Sequence, residues 1–328
     1  EAGEQRRQEI GAGGGAAAEA DLAGAEALQL GDGALAIAEG GERGLRLGQE
    51  GGAGGGELGA VAAAQEQGRA DGLPEALDRG CERRLREADE ELRLLHAMTL
   101  ETLGPRHRDA ASSWNSMGII AWERGDDATA VRDVAQAIAI WRENESLQSL
   151  HGGLFNYGMV LHGAGRDQEA LAALQETREL RATQYGASDA SVGEADRLIG
   201  EVLASQGKLE EATPYFDRAV KLTRVGFGPQ HPRTLFAELS MARHQARIGH
   251  AAAGLATLET LAVEPGDDSE TSKLHWSARA YAAEVRCRTG NGERARRELD
   301  ALIGELHDAR PDGGVITREV QAIRNACR

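Results

Sequence analysis

Nine histidines, three cysteines and the adjacent acids Glu210-Glu211 are the residues of this 328-residue chain whose types could do chemistry. A zinc hydrolase spaces two histidines four apart on one helix, with a glutamate beside the first as base, and a structural metal site often uses Cys-x-x-Cys. Neither spacing occurs. Cys81, Cys287 and Cys327 are odd in number and far apart, which reads as reduced thiols in a cytosolic setting. Glu210 and Glu211 open a helical pattern, KLEEATPYFDRAV, where acids complement the positive end of the helix dipole. No Gly-x-Ser-x-Gly elbow offers a nucleophile, and the kinase pairing of His-Arg-Asp with Asp-Phe-Gly lacks its second member. The glycine clusters GAGGG (11–15) and GGAGGG (51–56) would need a preceding strand and a following Gly-Lys-Ser/Thr to cradle phosphate. Both are missing. The sequence thus predicts no catalytic residue, no metal and no cofactor: not an enzyme.

The elements that would position any other site come in two parts. Residues 1–79 use no Ser, Thr, Asn, Lys, His, Met, Cys, Phe, Tyr or Trp. Such a Gly/Ala/Glu-rich, low-complexity segment cannot offset its ordering entropy by burial, so it is expected to be disordered or irregular. Residues 80–328 change texture. Gly125, Gly165, Gly207, Gly249 and Gly290 recur at a period near 42. Seven residues before each stands a small residue (Gly118, Gly158, Gly200, Ala242, Ala283), and five after stands another (Ala130, Ala170, Ala212, Gly254, Ala295). Two helices can approach closely at small residues, and a glycine between them tolerates a left-handed backbone. Trp114, Met117 and Ala121, or Leu154, Tyr157 and Leu161, give the first helices apolar faces. Ala212, Phe216 and Val220 do the same for a second helix. No pair buries its face alone, so the pairs must stack into an all-α solenoid.

Composition bounds the partners. A formal charge of −16 excludes nucleic acid as a default ligand. No run of about 18 apolar residues spans a membrane, and no signal peptide opens the chain. A cytoplasmic location follows as an expectation. The chain begins at Glu1, not Met, so an upstream portion is expected.

The small-x6-Gly-x4-small columns resemble the tetratricopeptide repeat. The connections LGPRHRDAASSWNSMG (103–118), YGASDASVGEADRLIG (185–200) and FGPQHPRTLFAELSMA (227–242) resemble its kinesin-light-chain type, found also in C-terminal regions of bacterial serine/threonine kinases. That resemblance implies a right-handed superhelix: a half repeat at 80–104, five repeats over about 105–310, and a capping helix over about 314–328. The histidines His107 and His231 would then belong to structural turns. The first helices would line a concave groove that receives a peptide or a partner's helix. By this register its lining is Asn115, Ile119, Trp122, Phe155, Met159 and His162, with Asn156 at the edge of the core. Further along it is Arg197, Glu201, Arg243 and Arg247. Asparagine amides would pair with a peptide backbone, Trp122 and Phe155 would hold an apolar anchor, and the arginines an acidic group. Core packing of Trp122 and Phe155, and local pairing of the arginines, fit the same residue types.

The function this implies is a non-catalytic protein-interaction module, a scaffold or sensor in signalling. The alternatives are the regulatory arm of a bacterial serine/threonine kinase, or of a transcription regulator, with the other domain upstream. Oligomeric state is not legible.

Overall fold

The computed structural model describes residues 89–262, 269–309 and 314–327. The expectation for residues 1–79 lies outside them. Among the described residues there are twelve helices and no strand. The first, α1, covers 89–102. Then come α2 (Arg108–Arg124), α3 (Asp127–Glu143), α4 (Leu147–Gly163), α5 (Asp167–Tyr185), α6 (Ala190–Ser205) and α7 (Leu209–Gly226). They are followed by α8 (Pro232–Arg247), α9 (Ala251–Leu261), α10 (Ser269–Arg288), α11 (Gly292–Ala309) and α12 (Val315–Ala326). Each even-numbered helix up to α10 packs on the helix after it, and each pair packs on the next.

The pair α6–α7 shows why the sequence folds this way. Asp189 caps α6, its carboxylate accepting from the Ser191 N–H at 2.8 Å. Val192, Ala195, Ile199 and Val202 then recur at helical spacing and are buried. Gly200 marks the crossing: a Cβ there would stand 2.9 Å from the Phe216 ring. At Gly207 φ is 78°, which ends the helix and lets Leu209 start α7. Ala212 and Phe216 are buried as the pattern predicts, whereas Val220 is only half-buried and Ala219 takes the inward position. Burying a side chain of the size of Phe216 contributes about 3 kcal/mol.

The recurrent turn has a cap as its cause. His107 and His231 each accept from the backbone N–H two residues on, at 3.2 Å, doing for α2 and α8 what Asp189 does for α6. Phe227 stacks on His231 with ring centroids 4.8 Å apart. The triplet His107-Arg108-Asp109, which spells the start of a kinase catalytic loop, is here a helix start.

The helix α12 sits as the first member of a sixth pair. Its Ile316, Val320 and Ile323 join Ala280, Ala283, Leu299 and Leu302 of α10 and α11 in one cluster. A capping helix was expected here. Two features go beyond that expectation. Cys287, in the last turn of α10, is disulfide-bonded to Cys327, just past α12. The reading of reduced thiols is therefore corrected for these two; a fold that brings residues 40 apart into contact leaves no spacing signature. In addition, the array curls until its last helix touches α2. Arg318 donates to the carbonyls of Trp122 at 2.9 Å and Glu123 at 3.2 Å, which lie in the last turn of α2. Val315 packs against the cluster of Ile119, Ala121, Trp122, Ala130 and Val160. Lys273 of α10 reaches Glu123 at 3.4 Å.

Candidate functional site

The first helices of the pairs carry a row of polar side chains linked across helices, one repeat period at a time. Asn156 Nδ2 on α4 donates to Asn115 Oδ1 on α2 at 3.2 Å. On α6, Arg197 pairs with Glu201 at 2.7 Å, and the Ser240 hydroxyl of α8 donates to the same carboxylate. Arg243 on α8 donates to Glu284 of α10 at 2.7 Å and to Glu319 of α12 at 2.9 Å. Arg247 joins it on Glu284 at 3.1 Å, and the Tyr281 hydroxyl donates to Glu319 at 2.8 Å. The Arg243 guanidinium also lies 3.8 Å from the centroid of the Tyr281 ring.

Electrostatics follows from this crowding. Burial alone would push the Glu201 and Glu284 carboxyls up. Arg197, the Ser240 hydroxyl and His162 outweigh it at Glu201, and Arg243 with Arg247 at Glu284, so both stay below the ordinary range. Burial likewise opposes the charge on Arg243, but Tyr281, Glu319 and Glu284 hold the guanidinium protonated. Burial and the neighbouring Glu319 raise the Tyr281 phenol well above its usual value. The three arginines Arg197, Arg243 and Arg247 therefore each already have a carboxylate. An acidic ligand group would have to exchange with one.

The remaining expected residues divide. Asn115, Met159 and His162 are half-buried; His162 Nδ1 lies 2.7 Å from Asp167. Asn156 is buried yet bonded along the row. Ile119, Trp122 and Phe155 depart from the expectation, since they are 3%, 9% and 7% exposed. Trp122 fills the space beside Gly163, where a Cβ would stand 2.7 Å from Trp122 Nε1, and Val315 packs on its cluster. Phe155 belongs to the core between the two helix layers, with Leu171, Leu174, Ile199 and Phe216, and Arg181 lies over its ring at 4.7 Å. The reason is shared. An aromatic at helical spacing goes where most apolar area can be buried.

Ser240, Tyr281, Glu284 and Glu319 belong to the row and were not foreseen. The signal lay in the period, because Asn115 and Asn156 are 41 apart and so are Arg243 and Glu284. Among the described residues no group of three His, Cys, Asp or Glu could hold a metal, and no helix is long and apolar enough to cross a membrane.

Stacked helix pairs with a polar row on the first helices define an α-solenoid of helical repeats. Residues 191–260 match the tetratricopeptide repeat family model, and the columns that run through them continue in the pairs on either side. Among solved structures, the chain is similar to the Rap protein complexed with Competence and Sporulation Factor. Identity there is 12% over 78% of this chain and 82% of that one, with a TM-score of 0.54. It is also similar to BtubC (BKLC) from P. vanneervenii, at 13% identity over 79% and 94% with a TM-score of 0.49. A third is a putative kinesin light chain from Podosopora anserina with nearly identical TPR-like repeats, at 16% over 66% and 97% and a TM-score of 0.45. No curated protein matches the sequence.

Proposed function

We infer that this array is a non-catalytic interaction module that takes an extended peptide or a partner's helix along its first helices. The observation that carries this reading is the Asn115–Asn156 link together with the Arg197–Glu201 pair on the first helices. Amides that bond to one another can open toward a peptide backbone, which supplies the same donors and acceptors. Arg197 is half-buried and held on one carboxylate, which an acidic group of a ligand can replace. The favoured ligand is a peptide with an acidic side chain or a C-terminal carboxylate at the Arg197 end. The Rap protein, alike in fold only, was crystallised with Competence and Sporulation Factor, so a fold of this kind is compatible with a bound factor. The context we propose is a scaffold or sensor in signalling.

The test is selection of a displayed random peptide library on the full chain, followed by calorimetric titration of the selected peptides. Asn156→Ala and Arg197→Ala should each weaken binding at least tenfold, while Arg132→Ala, whose exposed side chain lies outside the row, should leave it unchanged. Peptides that bind all four proteins equally would remove the site from the groove.

A further inference from the structure

We propose that α12 is a strap released by reduction: opening the Cys287–Cys327 disulfide frees α12 from the end of α2 and uncovers Ile119 and Trp122. The consequence for binding rests on the groove reading above.

Three observations place the strap. Its N-terminal residue Val315 packs on the Ile119–Trp122 cluster, and Arg318 caps the Trp122 and Glu123 carbonyls. The Gly125 N–H already bonds the Trp122 carbonyl at 3.0 Å, so Arg318 is its second partner, a cation at the negative end of the α2 dipole. In its middle, Glu319 accepts from Arg243 and Tyr281, closing the groove side of α8 and α10. At its C-terminal end, Cys327 is covalently held to α10. The strap thus touches the apolar end of the row, its charged end and a disulfide.

The contact with α2 is thin. Arg318 is exposed, and an exposed charge contributes little to holding two elements together. As the last helix of the array, α12 buries its apolar face, Ile316, Val320 and Ile323, against α10 and α11, and meets α2 through Val315 and Arg318. A helix of 12 residues does not persist in water undocked. The disulfide therefore holds α12 at a high effective concentration over its seat, and cutting it lets the end contact give way.

The chemistry is thiol–disulfide exchange with a dithiol. A thiolate attacks Sγ of Cys287, the less buried of the two, and expels the Cys327 thiolate. The reductant's second thiol then displaces Cys287 and closes its own disulfide. Two electrons pass from the dithiol to the protein, and two protons end on the two cysteines.

The test is amide hydrogen exchange on the full chain carrying Cys81→Ser, before and after dithiothreitol, with a thiol assay confirming two new thiols. Exchange should quicken at least tenfold over 315–326 and over 117–125, and stay constant over 192–222. Unchanged exchange at 315–326 overturns the strap. Faster exchange there with none at 117–125 overturns the uncovering. Equal acceleration throughout shows loss of fold and overturns both. The Cys287→Ser/Cys327→Ser variant should behave without reductant as the reduced chain does; if it fails to fold, the reduction experiment still decides. Exchange is read without ligand, so a rigid strap leaves the peptide test to succeed or fail by itself.

Discussion

The Arg243 guanidinium of α8 donates to Glu319 of α12 at 2.9 Å, across 76 residues and past the helix that stands between them in the row. It does so while stacked on Tyr281 and bonded to Glu284, so one side chain ties three successive first helices. The polar row is therefore part of what holds the units together as well as a surface for a ligand.

Acid should loosen it. The Glu201 and Glu284 carboxyls titrate below 4.5 in the folded chain, because their arginine partners outweigh burial. Their contribution is fully present above that unfolded value and is lost as pH falls through the folded values. Urea midpoints followed by circular dichroism should drop below pH 4.5. In Glu284→Gln the drop should be shallower, and an equal slope would rule this pair out as its source.

A histidine acts in a higher window. His151 is buried on α4 with its Nε2 3.2 Å from the Tyr185 hydroxyl, and burial, then Arg181, hold its pKa down to about 4. The folded state keeps it neutral, so its contribution is present above 6.5 and is lost between 6.5 and about 4 as the unfolded chain takes up the proton. The loss should be roughly 3 kcal/mol. His151→Leu should abolish that part of the pH dependence.

A buried carboxylate bridges the other layer. Asp196 is fully buried on α6 and accepts from Arg178 at 2.9 Å and from Arg218. Asp196→Ala strands two guanidiniums. Both are about one third exposed and can turn to water, so the cost should be about 2 kcal/mol, below the ~3–5 kcal/mol of a wholly buried pair. A change under about 0.5 kcal/mol in the urea midpoint analysis would mean that the bridge is ornamental.

Two glycines should respond with opposite signs. A Cβ on Gly254 of α9 would stand 2.4 Å from the Ala242 carbonyl oxygen, while one on Gly304 of α11 meets nothing within 4 Å. Gly304→Ala should gain about 1 kcal/mol from helix propensity. Gly254→Ala forces two helices apart and should lose about 1–2 kcal/mol net. Thermal unfolding of the two variants side by side gives the comparison.

These glycines also show what was legible beforehand. The column Gly118, Gly158, Gly200 is visible because close helix approach accepts few residue types, and each has a large side chain of the partner helix against it. The turn histidines were placed as structural, and their capping bonds supply the cause. For Trp122 and Phe155 the sequence leaves groove and core both open, because helical spacing tells which residues share a face but not how far the next layer wraps over it. Glu319 and the Cys287–Cys327 bond escaped notice because they depend on where the last helix arrives after five pairs. Small angular steps accumulate along a solenoid, and no single repeat records their sum.

That sum has a consequence for ancestry. An open array can gain or lose a unit by duplication or deletion, since each unit meets only its neighbours. Here Arg318 must arrive at the carbonyls of Trp122, 196 residues earlier. One unit more would carry it past, and one fewer would leave it short, so a change in the tally of repeats gives up this end-to-end contact.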